Sequence, residues 1–305
     1  MNAAQRSPDP RNRRPQLVSA DDLTPPTEQD RPIGEIIRET KQLDDAQLDD
    51  IIEYQRTHDV RFGEAAVALG YASEADVVYA LSQQFRYPFL SDERRPLNAE
   101  LVTATQPFSR QAEAFRAIRS QLMMRCFNPA EPKRALAIVS PDSGDGKTFF
   151  TANIGVVLSQ LGGRTLIIDA DLRGPRMHEV FGIPNHSGLS AVLSGRQEES
   201  VIFQAPDLPS LFVMPVGVMP PNPLELVERP AFRLLLAEVL RKFDHVVVDT
   251  PAACFGTDAS VVAARCGAAL LLGRKDRSRI GALDMLAAHM ASANTLVAGV
   301  IVNRF

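Results

Sequence analysis

Apolar residues are spaced in two different ways along this chain. Between Gly34 and Gln84 they recur at helical intervals. Leu48, Ile51 and Ile52 stand at i, i+3 and i+4, and Val77, Ala80 and Leu81 repeat that spacing, which predicts amphipathic helices. From Ala135 onward they come as short continuous runs, at 135–140, 165–169, 211–214, 244–249, 268–272 and 296–302. Runs of this kind fit parallel strands covered on both faces. Helical stretches at about 148–161, 188–194, 222–241, 258–265 and 280–291 fall between them. The alternation predicts an α/β fold with a mostly parallel, layered sheet, preceded by a small all-helical domain.

The helical segment is an internal repeat. GEIIRETKQLDDAQLDDIIEYQ from Gly34 aligns without a gap on GEAAVALGYASEADVVYALSQQ from Gly63, an offset of 29 residues. Gly34 falls on Gly63, Glu35 on Glu64, Ile52 on Leu81 and Gln55 on Gln84. Each unit reads as helix, turn, helix, with Asp44 and Ser73 at capping positions three residues before Gln47 and Asp76. The organisation is then a disordered tail over 1–30, which holds five prolines and Arg11, Arg13 and Arg14. A helical repeat domain covers 31–90, a linker with Pro96 and Pro107 covers 91–108, and the α/β domain covers 109–305. The last opens on a helix at 109–126. There Ala114, Ile118, Gln121 and Leu122 trace one face, and Glu113, Arg116 and Arg119 lie on a neighbouring one.

Charge and cysteine content narrow the function classes. With 33 Lys and Arg against 37 Asp and Glu, the formal charge is -4, which gives no general case for nucleic-acid binding. No apolar run reaches the length that spans a bilayer, and the first thirty residues lack a signal-peptide core. The expected location is cytoplasmic, with a membrane partner able to hold the chain at a surface. Cys126, Cys254 and Cys266 fit neither a zinc site nor a disulfide framework and read as small apolar fillers. His178, His186, His245 and His289 show no metal spacing.

Three segments carry chemistry. SPDSGDGKT, Ser140–Thr148, follows the strand ALAIV and opens a helix. Gly144 and Gly146 let backbone amides curl around phosphate oxygens, with Ser143, Asp145 and Phe149 in the same cradle. Lys147 reaches the β and γ phosphates, and the Thr148 hydroxyl joins a magnesium shell. The helix start adds unpaired N–H groups. Pro141 stands where the longer form of the loop has a glycine. TLIIDADLR ends a strand on Asp169, with Asp171 two residues on. This carboxylate pair suits magnesium or the orientation of an attacking hydroxyl. Arg173 would meet a phosphate or pair with one of these aspartates. FDHVVVDTPA runs an apolar strand into Asp249, the Walker B pattern, which places Asp249 beside Thr148. Asp258 reads as a helix cap or a catalytic group. Asn222, Pro223 and Glu225 read as a helix start, or as a loop near the base or a neighbouring subunit.

These motifs together resemble the bacterial tyrosine kinases of exopolysaccharide synthesis, a P-loop family related by fold to the MinD and ParA ATPases. The likeness covers about Arg110 to Phe305. The motifs are the Gly144–Thr148 loop, the DxDxR of Asp169, Asp171 and Arg173, the Asp249 strand, and ExxRxxR at Glu113, Arg116 and Arg119. NPLELV and the closing GVIVNRF belong to it too. The stand-alone chain-length determinant subgroup, the EpsG type, is the nearest in size. The resemblance implies ATP and magnesium as cofactors. Lys147, Asp169, Asp171 and Asp249 would be catalytic residues, and Thr148, Asp169, Asp171 and Asp249 would surround the metal. It further implies ring-like self-association through Glu113, Arg116 and Arg119, and an inner-membrane polysaccharide co-polymerase as partner.

Three departures bear on this expectation. Asp142 stands where the partition ATPases carry a lysine, which favours the kinase reading, and Ala252 replaces the second proline of DTPP. The tyrosines are Tyr54, Tyr71, Tyr79 and Tyr87, all in the amino-terminal half, where the family carries a tyrosine cluster at its end. The phosphoacceptor is then an amino-terminal tyrosine or lies on another protein, or the chain is an ATPase switch that phosphorylates nothing. The helical repeat resembles the amino-terminal domain of type II secretion and pilus ATPases, some of which bind cyclic di-GMP. Arg61, Phe62, Gly63, Gly70, Leu81 and Gln84 carry that likeness in the second unit. In the first it is weaker, through Arg31, Pro32, Ile33 and Gly34, with Lys41 opposite Gly70.

Overall fold

The computed structural model describes residues 32–84, 98–196 and 200–304. The expected tail over 1–30 and Arg31, Tyr87 and Pro96 lie outside them. The chain divides into two compact units between Ala80 and Leu81.

The first unit is built from α1 (Ile33–Lys41), α2 (Asp45–His58), α3 (Phe62–Ala68) and the start of α4 (Glu74–Gln84). Asp44 begins α2 with a full capping box. Its carboxylate accepts from the Gln47 amide at 2.8 Å, and Gln47 Oε1 accepts from the Asp44 amide at 3.1 Å. Ser73 and Asp76 make the equivalent reciprocal pair. The core is small: Ile37, Ile51, Ala65, Ala66 and Ala80 are sealed from solvent, and Tyr54, Phe62, Tyr71 and Tyr79 pack around it. Of the two repeated glycines, Gly63 has a packing cause: a Cβ there would lie 2.6 Å from Val77 Cγ1, whereas one on Gly34 would meet the Phe62 ring at an ordinary contact distance of 3.5 Å.

The second unit opens with α5 (Val102–Thr105), inside the segment read as a linker, and α6 (Arg110–Arg125). There follow β1 (Ala135–Val139), α7 (Lys147–Ser159), β2 (Thr165–Asp169), α8 (Met177–Phe181), α9 (Leu189–Leu193), β3 (Phe203–Gln204) and β4 (Leu211–Met214). The chain continues through α10 (Pro223–Glu228), α11 (Pro230–Lys242), β5 (His245–Asp249), α12 (Asp258–Cys266), β6 (Gly267–Arg274), α13 (Ile280–Ser292) and β7 (Leu296–Asn303). The sheet order is β3-β4-β2-β5-β1-β6-β7. Every pairing is parallel except the two-residue β3 against β4. β1, β2 and β5 are buried along their whole length. Alternate residues feed opposite layers. Leu136, Ile138 and Val247 pack toward α6 and α7, whereas Ala137, Val139, Val246 and Val248 pack toward α11, α12 and α13.

Three expectations change. The helix expected over 222–241 is two helices. Arg229 is extended (φ -59, ψ 147) because Pro230 follows it and opens α11. On α6 the buried positions are Ala112, Phe115 and Leu122, with Ile118 packed against the same core; of the expected face Ile118 and Leu122 are kept, whereas Ala114 and Gln121 are exposed. Phe115 sets this register by packing on Phe150. Cys126 and Cys266 are buried fillers, but Cys254 is exposed in a 3₁₀ turn over Ala253–Phe255. Burial pushes the Cys126 thiol up to about 11, and Cys266 is raised by the same cause.

Candidate active site

The site forms where β1, β5 and β2 end together. β1 leads into a loop that needs two left-handed glycines, Gly144 at φ 81 and Gly146 at φ 95; an L side chain there costs roughly 1–2 kcal/mol. Gly146 is the N-cap of α7, so the first amides of that helix face the loop without helical partners. Asp145 is buried. Its carboxylate accepts from the Asp142 amide at 3.0 Å, which closes the loop on itself. Lys147 is also buried and donates to Ser140 Oγ at 3.0 Å. Ser143 and Gly144 are exposed on the loop's rim. Phe149 packs its ring toward Phe115, which leaves its backbone rather than its side chain for a ligand.

Because β5 lies next to β1, the last residue of β5 comes under the start of α7. Thr148 Oγ1 donates to Asp249 Oδ2 at 2.6 Å, and Thr151 Oγ1 donates to Oδ1 at 3.3 Å. β5 also separates β1 from β2. The carboxylate beside Asp249 is therefore Asp169, its partner across the β2–β5 ladder. Asp169 is fully buried and accepts from the Asp171 and Met177 amides, both at 3.1 Å. Asp171 is partly exposed. Its Oδ1 accepts from the Arg173 and Gly174 amides, and no bond to its other oxygen is seen among the described residues.

Burial and the facing charge of Asp249 raise the Asp169 carboxyl well above the usual range. Burial pushes Asp249 up to about 6, although the Thr148 hydroxyl and Lys147 oppose the shift. Two carboxyls that resist ionising side by side are a place for a cation. Among the described residues no three His, Cys, Asp or Glu side chains form a metal site by themselves. That suits magnesium, which keeps waters and phosphate oxygens in its shell and takes few protein ligands. A hydroxyl already bonded to a carboxylate at the mouth of an anion-binding loop is a fitting donor set for a nucleotide with magnesium.

Arg173 meets neither Asp169 nor Asp171. Its guanidinium pairs with Asp258 at 3.0 and 3.2 Å. Asp258 is buried in the first turn of α12, so it is an ion-pair partner and not the N-cap, which is Thr257. Asn222 Nδ2 donates to the Glu225 carboxylate in an exposed pair at the start of α10. The ExxRxxR side chains turn inward in part. Arg116 pairs with Glu113 at 3.0 Å and also donates to the Pro107 carbonyl. Arg119 donates to the Val157 carbonyl at 2.8 Å. Glu113 alone is well exposed.

Sequence reasoning missed a second set of contacts to the phosphate loop, from the end of β6, the turn after it and the end of β7. Ser278 Oγ donates to Asp145 Oδ1 at 2.9 Å, Arg274 Nη1 to the Gly144 carbonyl at 3.3 Å, and Asn303 Nδ2 to the Asp145 carbonyl at 3.1 Å. The only signal was the unassigned cluster of cations in RKDRSR and the NRF that follows the last strand.

Residues 136–305 match the CobQ/CobB/MinD/ParA nucleotide binding domain. The chain is 34% identical over 205 residues to the putative tyrosine-protein kinase CapB of Staphylococcus aureus, covering 67% of this chain and 89% of that one. It is 31% identical to the tyrosine-protein kinase wzc of Salmonella typhimurium, where the match spans 69% of this chain but 29% of the longer relative. The kinase domain of the Escherichia coli tyrosine kinase ETK superposes with a TM-score of 0.64 at 31% identity, covering 69% of this chain and 82% of that domain.

Proposed function

The chain belongs to the CobQ/CobB/MinD/ParA nucleotide-binding family, alongside its tyrosine kinases, and on that premise we propose that it is a Mg-ATP-dependent protein tyrosine kinase regulating exopolysaccharide chain length, polymerisation or export. The observation that carries this is the meeting of Thr148, Asp249 and Asp169 under the phosphate loop, in a chain that spans nine-tenths of CapB. Within the family, the stand-alone EpsG type is the finer assignment we make.

ATP supplies the γ-phosphoryl group and magnesium screens its charge. The amides of Gly144–Thr148 and the Lys147 ammonium hold the phosphates, with Lys147 released from Ser140 to do so. Thr148 and Asp249 hold the metal shell. Asp171, whose second oxygen carries no bond among the described residues, would orient the acceptor hydroxyl and take its proton as the γ-phosphoryl passes to the tyrosine oxygen and ADP leaves, and Asp169 lies buried beside Asp249, where a bound metal would favour its ionised form. Glu113 is the part of ExxRxxR best exposed to a neighbouring copy in a homo-oligomeric ring. An inner-membrane polysaccharide co-polymerase would recruit the chain from the cytoplasm and complete the active state. Among the described tyrosines, Tyr71 lies on a turn with its hydroxyl on Asp50 at 2.7 Å, while Tyr54 and Tyr79 lie within helices. Cyclic di-GMP at the helical repeat is a secondary part of the reading, because Gly63 already has a packing role.

The test is phosphotyrosine detection and mass spectrometry after incubation with Mg-ATP and the co-polymerase segment, with Lys147→Met as control. Phosphate on the partner or within residues 54–87 is expected. ATP hydrolysis with no phosphotyrosine would replace the kinase reading by a MinD-like ATPase switch. Nucleotide-dependent assembly without turnover would leave a non-catalytic module.

A further inference from the structure

The segment after β6 carries four cations in six residues, Arg274, Lys275, Arg277 and Arg279. It is fastened to the phosphate loop on one side and to the end of β7 on the other. Ser278 Oγ bridges the two segments, accepting from the Arg274 amide at 2.7 Å and donating to Asp145 at 2.9 Å. The Lys275 amide donates to the Asn303 carbonyl at 2.8 Å, while the Asn303 side chain donates to the Asp145 carbonyl. This latch fixes where Arg277 sits. Its Nη1 lies 3.2 Å from the point that a Cβ on Gly144 would occupy, with Nη2 at 3.7 Å. Among the described residues the Arg277 side chain has no hydrogen bond or ion pair.

The placement has an electrostatic reason. Asp145 puts a buried carboxylate inside a loop shaped to receive a polyanion, and its partners there are a hydroxyl and an amide, both neutral. Phosphate entering beside it meets like-charge repulsion in a poorly screened setting. A guanidinium over the same loop offsets that repulsion and offers planar donors that suit phosphate oxygens. We propose that Arg277, held over Gly144 by the Ser278–Asp145 latch, is a nucleotide-contacting residue that donates to a phosphate oxygen of the bound nucleotide from outside the three Walker-type motifs. Ser278 is the positioning residue for it. The absent side chain of Gly144 then serves two ends: the left-handed turn, and the space that the guanidinium fills.

The inference rests on the reading of Ser140–Thr148 as a phosphate loop, and the experiment separates the two. A fluorescent ATP analogue is titrated with magnesium onto the full-length chain and its variants. Arg277→Gln is expected to weaken binding about ten- to a hundredfold with unchanged melting of the nucleotide-free protein. Arg277→Lys should recover part of the loss, and Ser278→Ala should show a smaller loss in the same direction. Arg279→Gln should bind as the parent does. Parental affinity in Arg277→Gln overturns the proposal, as does an equal loss in Arg279→Gln, which would mean diffuse charge and not a contact. If Lys147→Met also binds as the parent does, the phosphate-loop reading itself fails.

Discussion

The helical unit and the α/β unit use glycine and charge in opposite ways. Residues 32–80 carry eleven Asp and Glu against four Lys and Arg, and their charges lie outside a core of a few Ile and Ala side chains. Its Gly63 answers to a helix contact, with Val77. In the α/β unit the glycines of the loop answer to backbone conformation, and Asp145, Lys147, Asp169 and Asp249 are buried where the central strands β1, β5 and β2 end. Burying a charge is costly unless it is paired or employed. Buried charge gathered at strand ends therefore marks function, whereas a glycine motif on a small helical unit does not do so alone.

The sharpest way to test that contrast is at Asp249. Asp249→Asn should reduce ATP turnover by at least about a hundredfold, the scale of losing a preorganised charge. The same change should stabilise the metal-free protein at neutral pH. Burial raises the folded carboxyl from its ordinary value of 3.8 to about 6, so between those values the folded state keeps a proton that the unfolded state has lost. Metal-free stability therefore falls as pH rises through that window, by about 2–3 kcal/mol in total. Thermal melts of Asp249→Asn should be flatter across pH 4–6 and higher above it. The Thr148 and Thr151 hydroxyls can donate or accept, so they tolerate the amide. An unchanged pH profile would mean that this buried charge is no burden to the fold.

Arg173→Ala comes next, because it strands Asp258, whose side chain is 3% exposed. A loss of about 2 kcal/mol is expected, lowered from the fully buried case by the partial exposure of Arg173. Chemical denaturation measures it, and Arg173→Ala with Asp258→Asn should recover most of the loss. In the helical unit, Gly63→Ala should cost roughly 1–3 kcal/mol by overpacking Val77 while leaving nucleotide affinity intact. Altered ATP binding would show that the units are coupled through more than covalent linkage. The smallest effect is expected from Asp44→Ala, about 1 kcal/mol for the lost cap, read as the melting of the helical unit.

The sequence revealed features governed by neighbours in the chain. The strand runs, the phosphate loop, the Asp44 and Ser73 caps and the Asp249 strand end all have local causes and were legible. The break at Arg229 was local as well, since Pro230 stands in plain view, but the apolar spacing on either side masked it. Other features had no local signature. The insertion of β5 between β1 and β2 decides that Asp169 faces Asp249, and it follows from sheet order alone. Arg173 reaches a partner 85 residues away, and no spacing rule chooses Asp258 over the nearer Asp171. Ser278 and Arg274 were invisible for the same reason, since a serine and an arginine on a loop are common everywhere.

The bonds that seal the phosphate loop also bear on how the chain acquires its fold. The loop's partners lie far downstream: Asp249 is 101 residues beyond Thr148, Ser278 is 133 beyond Asp145, and Asn303 is 158 beyond Asp145. Closing such long loops is slow. A growing chain makes the Ser140–Thr148 segment early, yet that segment gains its final anchor only when the last strand docks against β6. Nucleotide capture is thus a late event, a reporter of completed folding rather than a scaffold for it. ATP present during refolding should hold the finished protein without hastening the steps that lead there.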